Sequence, residues 1–446
     1  MKVAVVGAGW AGLASAVSLQ KTGFIQVVVF EAAGSPGGRA RRVEDTDMGI
    51  LDNGQHLLLG SYTSCLSLIS ELQPSRNPDT LYVREPLKLE SADGSFHLST
   101  LNAKGSRQSL LKTLLHSKGL GLYDKWRALC MMRALKARNW QDARAETVTQ
   151  LLAKHKQTSA LLRRLWVPLC LAALNTAPEQ ACAQLFQNVL RDSLGGSPEQ
   201  SDTIIPKVDL SALWPDSAAK LFEMRYRQIV RKIVIEETHV SIDGETFDAC
   251  ISALPPYALA RTLTSTQQQN ALASLQQQLN AFEHNAITTL TLKLAKPWRL
   301  PSTMLMLDED HTKASIGQWV FNRPNYADQL AVVISVSEDY LKSSREKLVD
   351  GVSKQIREQV AKHPKAKEPM PEVIAHKLIV EKRATFAAKP RLDRPTALTS
   401  WPRLFLAGDY VAGDYPAVLE AAVNSGVNAA QALINAKLAQ TTSLAQ

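Results

Sequence analysis

The chain has no apolar run approaching the length needed to span a bilayer. Its first residues, Lys2-Val3-Ala4-Val5-Val6, are too short an apolar region for a signal peptide and read as a first strand. Cysteine is sparse. Cys65, Cys130, Cys170, Cys182 and Cys250 are scattered, odd in number and without a C-x-x-C pair. That pattern excludes a disulfide framework and fits reduced thiols in the cytoplasm. No His/Cys cluster has zinc spacing, so no metal site is expected. Aromatic residues make up only 6% of the chain, and no RNA-binding motif or aromatic platform accompanies its positive charge. Nucleic acid is therefore not an expected partner. No internal repeat is present.

What the chain does have is length and a glycine pattern. At 446 residues and 45% hydrophobic content it is too long for one ordinary core, so two domains are expected. An apolar strand over Val3 to Val6 runs into G-A-G-W-A-G, residues 7 to 12. A helix follows, with Leu13, Ala16, Val17 and Leu19 on its inner side. A second strand, Val27 to Phe30, ends on Glu31. This is a βαβ unit suited to a dinucleotide. Gly7 permits the tight turn, Gly9 lets backbone approach a pyrophosphate, and Gly12 lets helix and strand pack closely. The helix start at Ala8, Trp10 and Ala11 offers free N–H groups to phosphate. Glu31, followed by Ala32, sits where a carboxylate accepts from both ribose hydroxyls, and an acid there disfavours a 2′-phosphate. Gly23 to Glu31 is one residue longer than usual, which a longer turn at Phe24-Ile25-Gln26 absorbs.

Three separated segments read as one nucleotide-binding domain: residues 1–75, 201–265 and 396–440. The middle one holds a hairpin (Ile229 to Ile235, Val240 to Ile242) and a buried strand over Phe247 to Leu254, stopped by Pro255-Pro256. The last holds the buried strand Arg403 to Ala407, a Gly408-Asp409 turn and an apolar helix over Pro416 to Gly426. The inserted segments are expected to form a substrate domain. Residues 76–200 read as mostly helical. Residues 266–395 open with a Gln-rich helix (Gln267 to Leu279), continue with alternating strands such as Ala286 to Lys293 and Leu330 to Val336, and include a helix over Ser343 to His363. The tail, 441–446, is expected to fray.

The net charge is +9 and the pI about 9.2. From Lys104 to Arg138 there are nine Lys/Arg and one acid, Asp124. Leu110, Leu111, Leu114 and Leu115 fall on one helical face, as do Leu122, Trp126 and Leu129. Two readings stand: a basic amphipathic segment lying on an anionic membrane surface, or a solvated basic face over a packed helix.

Gly37-Gly38-Arg39, shortly after the ribose acid, resembles the flavin amine oxidase and phytoene desaturase superfamily. The resemblance implies FAD as the cofactor, Gly38 passing close to its pyrophosphate and Arg39 bracing phosphate or flavin. It implies a Rossmann-type FAD-binding domain with an inserted α+β substrate domain, an α/β fold. An ordinary surface turn is the competing reading of those glycines. The stretch D-N-G-Q-H-L-L-L-G, residues 52 to 60, resembles hydroxysqualene dehydroxylases, as do Leu165 to Thr176 and Val208 to Pro215. Leu404 to Asp409 with Glu420 to Gly426 resembles the superfamily's FAD-closing motif. Tyr410 to Tyr415 departs from the usual loop that follows it.

That family implies reductive removal of an allylic hydroxyl from a long isoprenoid, hydroxysqualene, by a hydride from reduced FAD. The implied location is cytoplasmic, peripheral on the inner face of the plasma membrane; the donor that reduces FAD is not readable. An allylic C–O bond ionises readily once its oxygen is protonated, provided water is kept away. His56 is the candidate acid, or a loop histidine bonding backbone. Asp52 either orients His56 or caps the next segment. Gln55 is placed to bond flavin or substrate oxygen. Trp166 and Asn175 are candidate tunnel residues, with a core role the alternative for Trp166. Asp409 is expected on the ribityl or pyrophosphate region, or as a helix-start cap. Glu420 bridges to a flavin-side loop or faces solvent. Gly54, Gly408 and Val418 complete the expected cofactor contacts. Competing functions are a carotenoid-type desaturase or amine oxidase, with hydride moving from substrate to FAD, and a non-catalytic flavin-binding scaffold docked to membrane synthases.

Overall fold

The computed structural model describes the chain except residues 101–109, 143–145, 266–267, 311, 313–314, 341–343 and 445–446. Lys104 and Arg107 of the basic segment lie outside the described residues, and the helix holding Leu110 and Leu111 is described without those two side chains.

Strands with largely apolar runs and no polar alternation need cover on both faces. Lys2–Val6, Gln26–Phe30, Ala249–Ser252 and Leu404–Leu406 are such runs, and they form one parallel sheet. Glu223–Arg225 adds an edge, giving the order 223–225, 26–30, 2–6, 249–252, 404–406. Val3 sits between Val27 and Ala249, and Ile251 beside Phe405. The helix Trp10–Gln20 covers one face. Across it lies Leu419–Leu444, which enters the tail expected to fray. The two helices meet at Gly426, where an added Cβ would sit 2.1 Å from the carbonyl oxygen of Ala11. The three chain segments thus converge on a Rossmann-type sheet. The hairpin of the middle segment forms, with Ile233 paired to Ile242.

A second, antiparallel sheet has the order Met304–Met306, Trp319–Asn322, Gln329–Ser335, His284–Leu294, Val373–Phe386. Its strands alternate, and the period of two assigns each face. Leu290, Leu292, Val320, Val332 and Ile334 pack against the helix Arg345–Val360, through Leu348, Val352 and Ile356. Ile287, Thr289, Trp319, Phe321 and Val333, one residue out of phase, face a cavity. A helical part (Leu122–Ala137, Val148–Lys154, Val167–Leu174, Ala183–Ser193) encloses the far side. The mostly helical reading of 76–200 missed three short strands, Tyr82–Glu85, Lys88–Glu90 and His97–Ser99. Each has three or four residues, too few to show an alternation.

Candidate active site

One cavity of about 840 Å³ runs from the carboxyl ends of the parallel strands to the alternating face of the second sheet. Its first end is built by the βαβ unit. The amide of Gly7 donates to the carbonyl of Phe30 at 2.8 Å, which aims the following turn outward. Gly12 has no room for a side chain: its Cβ would lie 1.9 Å from the carbonyl oxygen of Gly7. Gly9 differs. A Cβ there meets no protein atom nearer than Gly38 Cα, at 3.9 Å, and would enter the cavity. Gly38, at φ +62°, backs onto Gly9, its own added Cβ only 2.9 Å from Gly9 Cα. The amide of Gly37 donates to the carbonyl of Ala8 at 2.8 Å. Two glycine turns from separate parts of the sequence therefore make one bare backbone surface at a helix start. This open cradle fits a pyrophosphate.

Glu31 closes that end. Its Oε2 accepts from the Ala8 amide at 2.7 Å and its Oε1 from the Ala33 amide at 2.8 Å. The carboxylate is thereby fixed at the cavity wall, beside Ala32, with further lone pairs for a sugar diol. Gln228, Ile229 and Val230 also line this end. Ile229 and Val230 were read as strand, whereas the strand begins at Ile233.

At the centre, Arg39 donates to Asp409 Oδ1 at 2.7 Å and to the carbonyl of Ala384 at 2.7 Å. Burial opposes the Arg39 charge, but Asp409, with Glu381 adding to it, outweighs that and holds the guanidinium above its ordinary pKa. Asp409 thus bonds Arg39, joining the first segment to the last. Asn53 Nδ2 reaches Glu381 Oε2 at 3.1 Å.

The loop after Asp409 is held by a residue the sequence reading passed over. Arg394 directs Nε to the carbonyl of Tyr410, Nη1 to those of Gly413 and Tyr415, and Nη2 to those of Asp409 and Val411, at 2.6 to 3.1 Å. Burial pulls its pKa down, while Asp409 works the other way. Its guanidinium lies over the Phe386 ring, 5.0 Å from the centroid. One planar fork therefore fixes the loop that departs from the family pattern.

His56, Gln55 and Gly54 line the cavity. His56 Nδ1 bonds the carbonyl of Gly54 at 2.9 Å. A carbonyl only accepts, so Nδ1 carries the hydrogen and Nε2 is left as an acceptor. Burial first, and then the charge of Arg39, lowers the His56 pKa. The imidazole is neutral near pH 7, which opposes the acid role expected of it. Gln55 Nε2 donates to the carbonyl of His56 at 3.2 Å.

Asp52 lies outside the cavity lining. Its Oδ1 accepts from the Leu210 amide at 2.8 Å, the start of the short helix Leu210–Leu213, which is a capping role. Burial pushes its pKa up to about 7, the Asp209 charge adds to that, and Arg323 and Arg42 oppose it. Trp166 is fully buried, with Nε1 donating to Gln157 Oε1 at 2.8 Å; it is a core residue. From the same run Leu169, Ala172 and Ala173 reach the cavity instead. Asn175 lines the cavity, yet its amide is committed to the protein. Nδ2 donates to Thr385 Oγ1 at 3.0 Å and Oδ1 accepts from the Val336 amide at 2.8 Å. Glu420 does not face solvent. It is buried and accepts from the amides of Ser64 and Cys65, at 2.9 and 3.0 Å, in the first turn of the helix Thr63–Leu72. Gly408 and Val418 line the cavity between these groups.

Residues the sequence reading missed are Tyr257, His284, Glu381 and Arg383, all on the cavity wall. Arg383 lies over the Tyr257 ring, 4.0 Å from its centroid, and Tyr257 meets His284 edge-on at 5.7 Å. The signal for two of them was the odd-numbered alternation along Ile379, Glu381, Arg383 and Thr385. Among the described residues no group of His, Cys, Asp or Glu has metal-binding geometry, and no helix is long and apolar enough to cross a membrane.

The flavin containing amine oxidoreductase family matches residues 10–434. The hydroxysqualene dehydroxylase of Zymomonas mobilis is 26% identical over 455 residues, covering 96% of this chain and 97% of its own. That of Rhodopseudomonas palustris is 27% identical over 462 residues, covering 97% and 98%. Among solved structures, an oxidoreductase from Methanosarcina mazei superposes with a TM-score of 0.71 at 18% identity, over 97% of this chain and all of that one.

Proposed function

From the premise that this chain belongs to the flavin containing amine oxidoreductase family, we propose that it binds FAD and removes the allylic hydroxyl of hydroxysqualene reductively, giving squalene. The observation that carries this reading is one continuous cavity joining the bare-backbone cradle at Gly9 and Gly38 to an apolar chamber. Full-length similarity to two hydroxysqualene dehydroxylases supports the choice of substrate.

When bound, reduced flavin supplies hydride. The residues supply the rest. Glu31 accepts from the ribose, and the first helix turn and the facing glycines hold the pyrophosphate. The ion pair of Arg39 with Asp409 fixes a cation at mid-cavity. Leu169, Ala173, Met304, Trp319, Phe321 and Val333 line the chamber with apolar surface, which excludes water from a forming allylic cation. His56 Nε2 accepts a hydrogen bond from the substrate hydroxyl and orients it. In the balanced reaction the C–O bond breaks, the hydroxyl leaves as water with one added proton, and hydride closes the carbon. For His56 to deliver that proton it must first take one up, so turnover through His56 rises as pH falls.

The test is an anaerobic single turnover. The protein is reduced chemically and mixed with hydroxysqualene, and the products are read by mass spectrometry. Squalene formed in step with flavin reoxidation is the expected result. Flavin that stays reduced with hydroxysqualene, in protein whose oxidised form is bleached by an amine or a carotene, overturns the reading.

A further inference from the structure

The basic segment that the sequence left with two readings is divided by the structure between them. Leu114, Leu120, Met131, Met132 and Leu135 are buried, so much of the segment is a packed helical cap. At one corner the apolar side chains point outward. Leu115 is 51% exposed, Leu122 84%, Tyr123 61% and Trp126 54%. They come from two helices, Leu110–His116 and Leu122–Ala137, joined by a short turn. Lys125 Nζ donates to the carbonyl of Leu115 at 2.9 Å, which holds the end of the first helix against the second. Leu122 and Trp126 share a face at i, i+4 spacing, and the Tyr123 and Trp126 rings lie 5.8 Å apart. The four side chains therefore form one apolar knuckle rather than isolated exposed residues.

The exposed charge of these two helices and their turn has one sign. Lys112, Lys118 and Arg133 are exposed on the same two helices and the turn between them. The Arg127 guanidinium lies 5.1 Å from the centroid of the Trp126 ring. The single acid, Asp124, is turned inward: it accepts from the Gly121 amide at 2.8 Å and from Thr158 Oγ1 at 2.6 Å. An apolar tip ringed by cations, with its one carboxylate spent on a helix cap, complements an apolar layer beneath anionic headgroups.

The knuckle also leads to the cavity. Arg164 Nη1 donates to the carbonyls of Gly119 and Ser95, tying the turn between the two helices to the π-helical turn Leu162–Trp166. The helix Val167–Leu174 continues from it, and its Leu169, Ala172 and Ala173 line the cavity with none of the three buried.

We infer that this corner docks on a bilayer containing anionic lipid, with Leu115, Leu122, Tyr123 and Trp126 entering the acyl boundary and Lys112 and Lys118 facing the headgroups. The contact itself rests on the surface alone. Its use as the route by which an insoluble substrate enters rests on the function proposed above.

The experiment is sedimentation of the flavin-loaded protein with two kinds of vesicle: equal parts phosphatidylglycerol and phosphatidylcholine, and phosphatidylcholine alone. The wild type binds the anionic vesicles, releases as salt is raised, and binds the neutral ones weakly. The double variant Leu122→Ser, Trp126→Ser keeps its flavin and melting temperature, because both side chains are exposed, but binds anionic vesicles about tenfold or more weakly. Lys112→Gln with Lys118→Gln lowers the salt dependence. Lys125 and Arg127 are left intact, since they hold the carbonyls of Leu115, His155 and Lys156. Equal vesicle binding by wild type and the Leu122/Trp126 variant overturns the proposal, as does equal binding to neutral and anionic vesicles. A wild type that ignores both vesicles but forms a dimer lost in that variant also overturns it, assigning the knuckle to a second copy. None of these readings needs turnover, so they stand apart from the fate of the proposed reaction.

Discussion

At one end of the cavity Glu31 is held by the amides of Ala8 and Ala33, both within the same βαβ unit. At its centre, Asp409 is held by Arg39, 370 residues earlier in the chain, and its loop by Arg394. The first end is a backbone device: glycines, a helix start and one carboxylate, all local in sequence. The second is a side-chain device, in which guanidinium groups gather oxygens from remote segments. A backbone device loses its ligand when a side chain is added. A side-chain device loses its shape when a donor is removed.

The sharpest test of that contrast is Gly9→Val. A side chain there meets no protein atom closely, so the variant folds and melts near the wild type, yet its branches occupy the cradle. Purified variant is expected to be colourless, read as the ratio of flavin to protein absorbance. Flavin retained at wild-type level would place the pyrophosphate elsewhere. Next in size is Arg394→Lys. An ammonium cannot span the five carbonyls the fork satisfies, so several are left without donors. The expected loss is about 2–4 kcal/mol by urea denaturation, on the scale of leaving buried acceptors unpaired. A loss no larger than that of an exposed Arg→Lys control would show that the loop holds itself.

Glu420→Gln is milder. One oxygen remains to accept from the first turn of Thr63–Leu72, so the expected cost is about 1 kcal/mol, the scale of a helix cap. A larger loss, accompanied by flavin release, would tie Glu420 to the cofactor after all. The effect expected at Asp52 is visible only against pH. Burial raises its folded pKa to about 7, far above the unfolded value, so the folded state binds the extra proton between about pH 4 and 7. Stability from this group is full below that window and declines as pH rises through 7. Asp52→Asn cannot ionise, so its melting temperature gains on the wild type from about pH 4 to 7 and the gain levels off above. Parallel melting curves across that range would show that Asp52 stays charged or solvated.

The same division explains what was legible. The parallel strands announce themselves as unbroken apolar runs because both faces are covered. Gly7, at φ +106°, and Gly12, whose Cβ would meet the Gly7 carbonyl oxygen, each have a local steric reason. The βαβ end of the cavity was accordingly readable down to Glu31. Arg394 carried no local signal, since it lies in an irregular stretch and its partners are carbonyls, which every residue has. Glu420 lies within an apolar helix, and nothing nearby hints that its partners are the amides of Ser64 and Cys65. His56 was found by its motif, but its protonation state depends on burial and on Arg39, neither of which the motif encodes.

By itself, then, the sequence determined the glycine turn of the βαβ unit, the parallel strands and the alternation of the second sheet. These follow from backbone sterics and from hydrophobic periodicity, which act over a few residues. Only the tertiary structure decided which alternating face meets the cavity, that Asp52, Trp166 and Glu420 serve packing and capping, and that the knuckle at Leu122 and Trp126 is left outside while Leu114 and Met131 are buried. Those outcomes turn on burial and on pairing between distant segments, and both exist only once the chain has closed on itself.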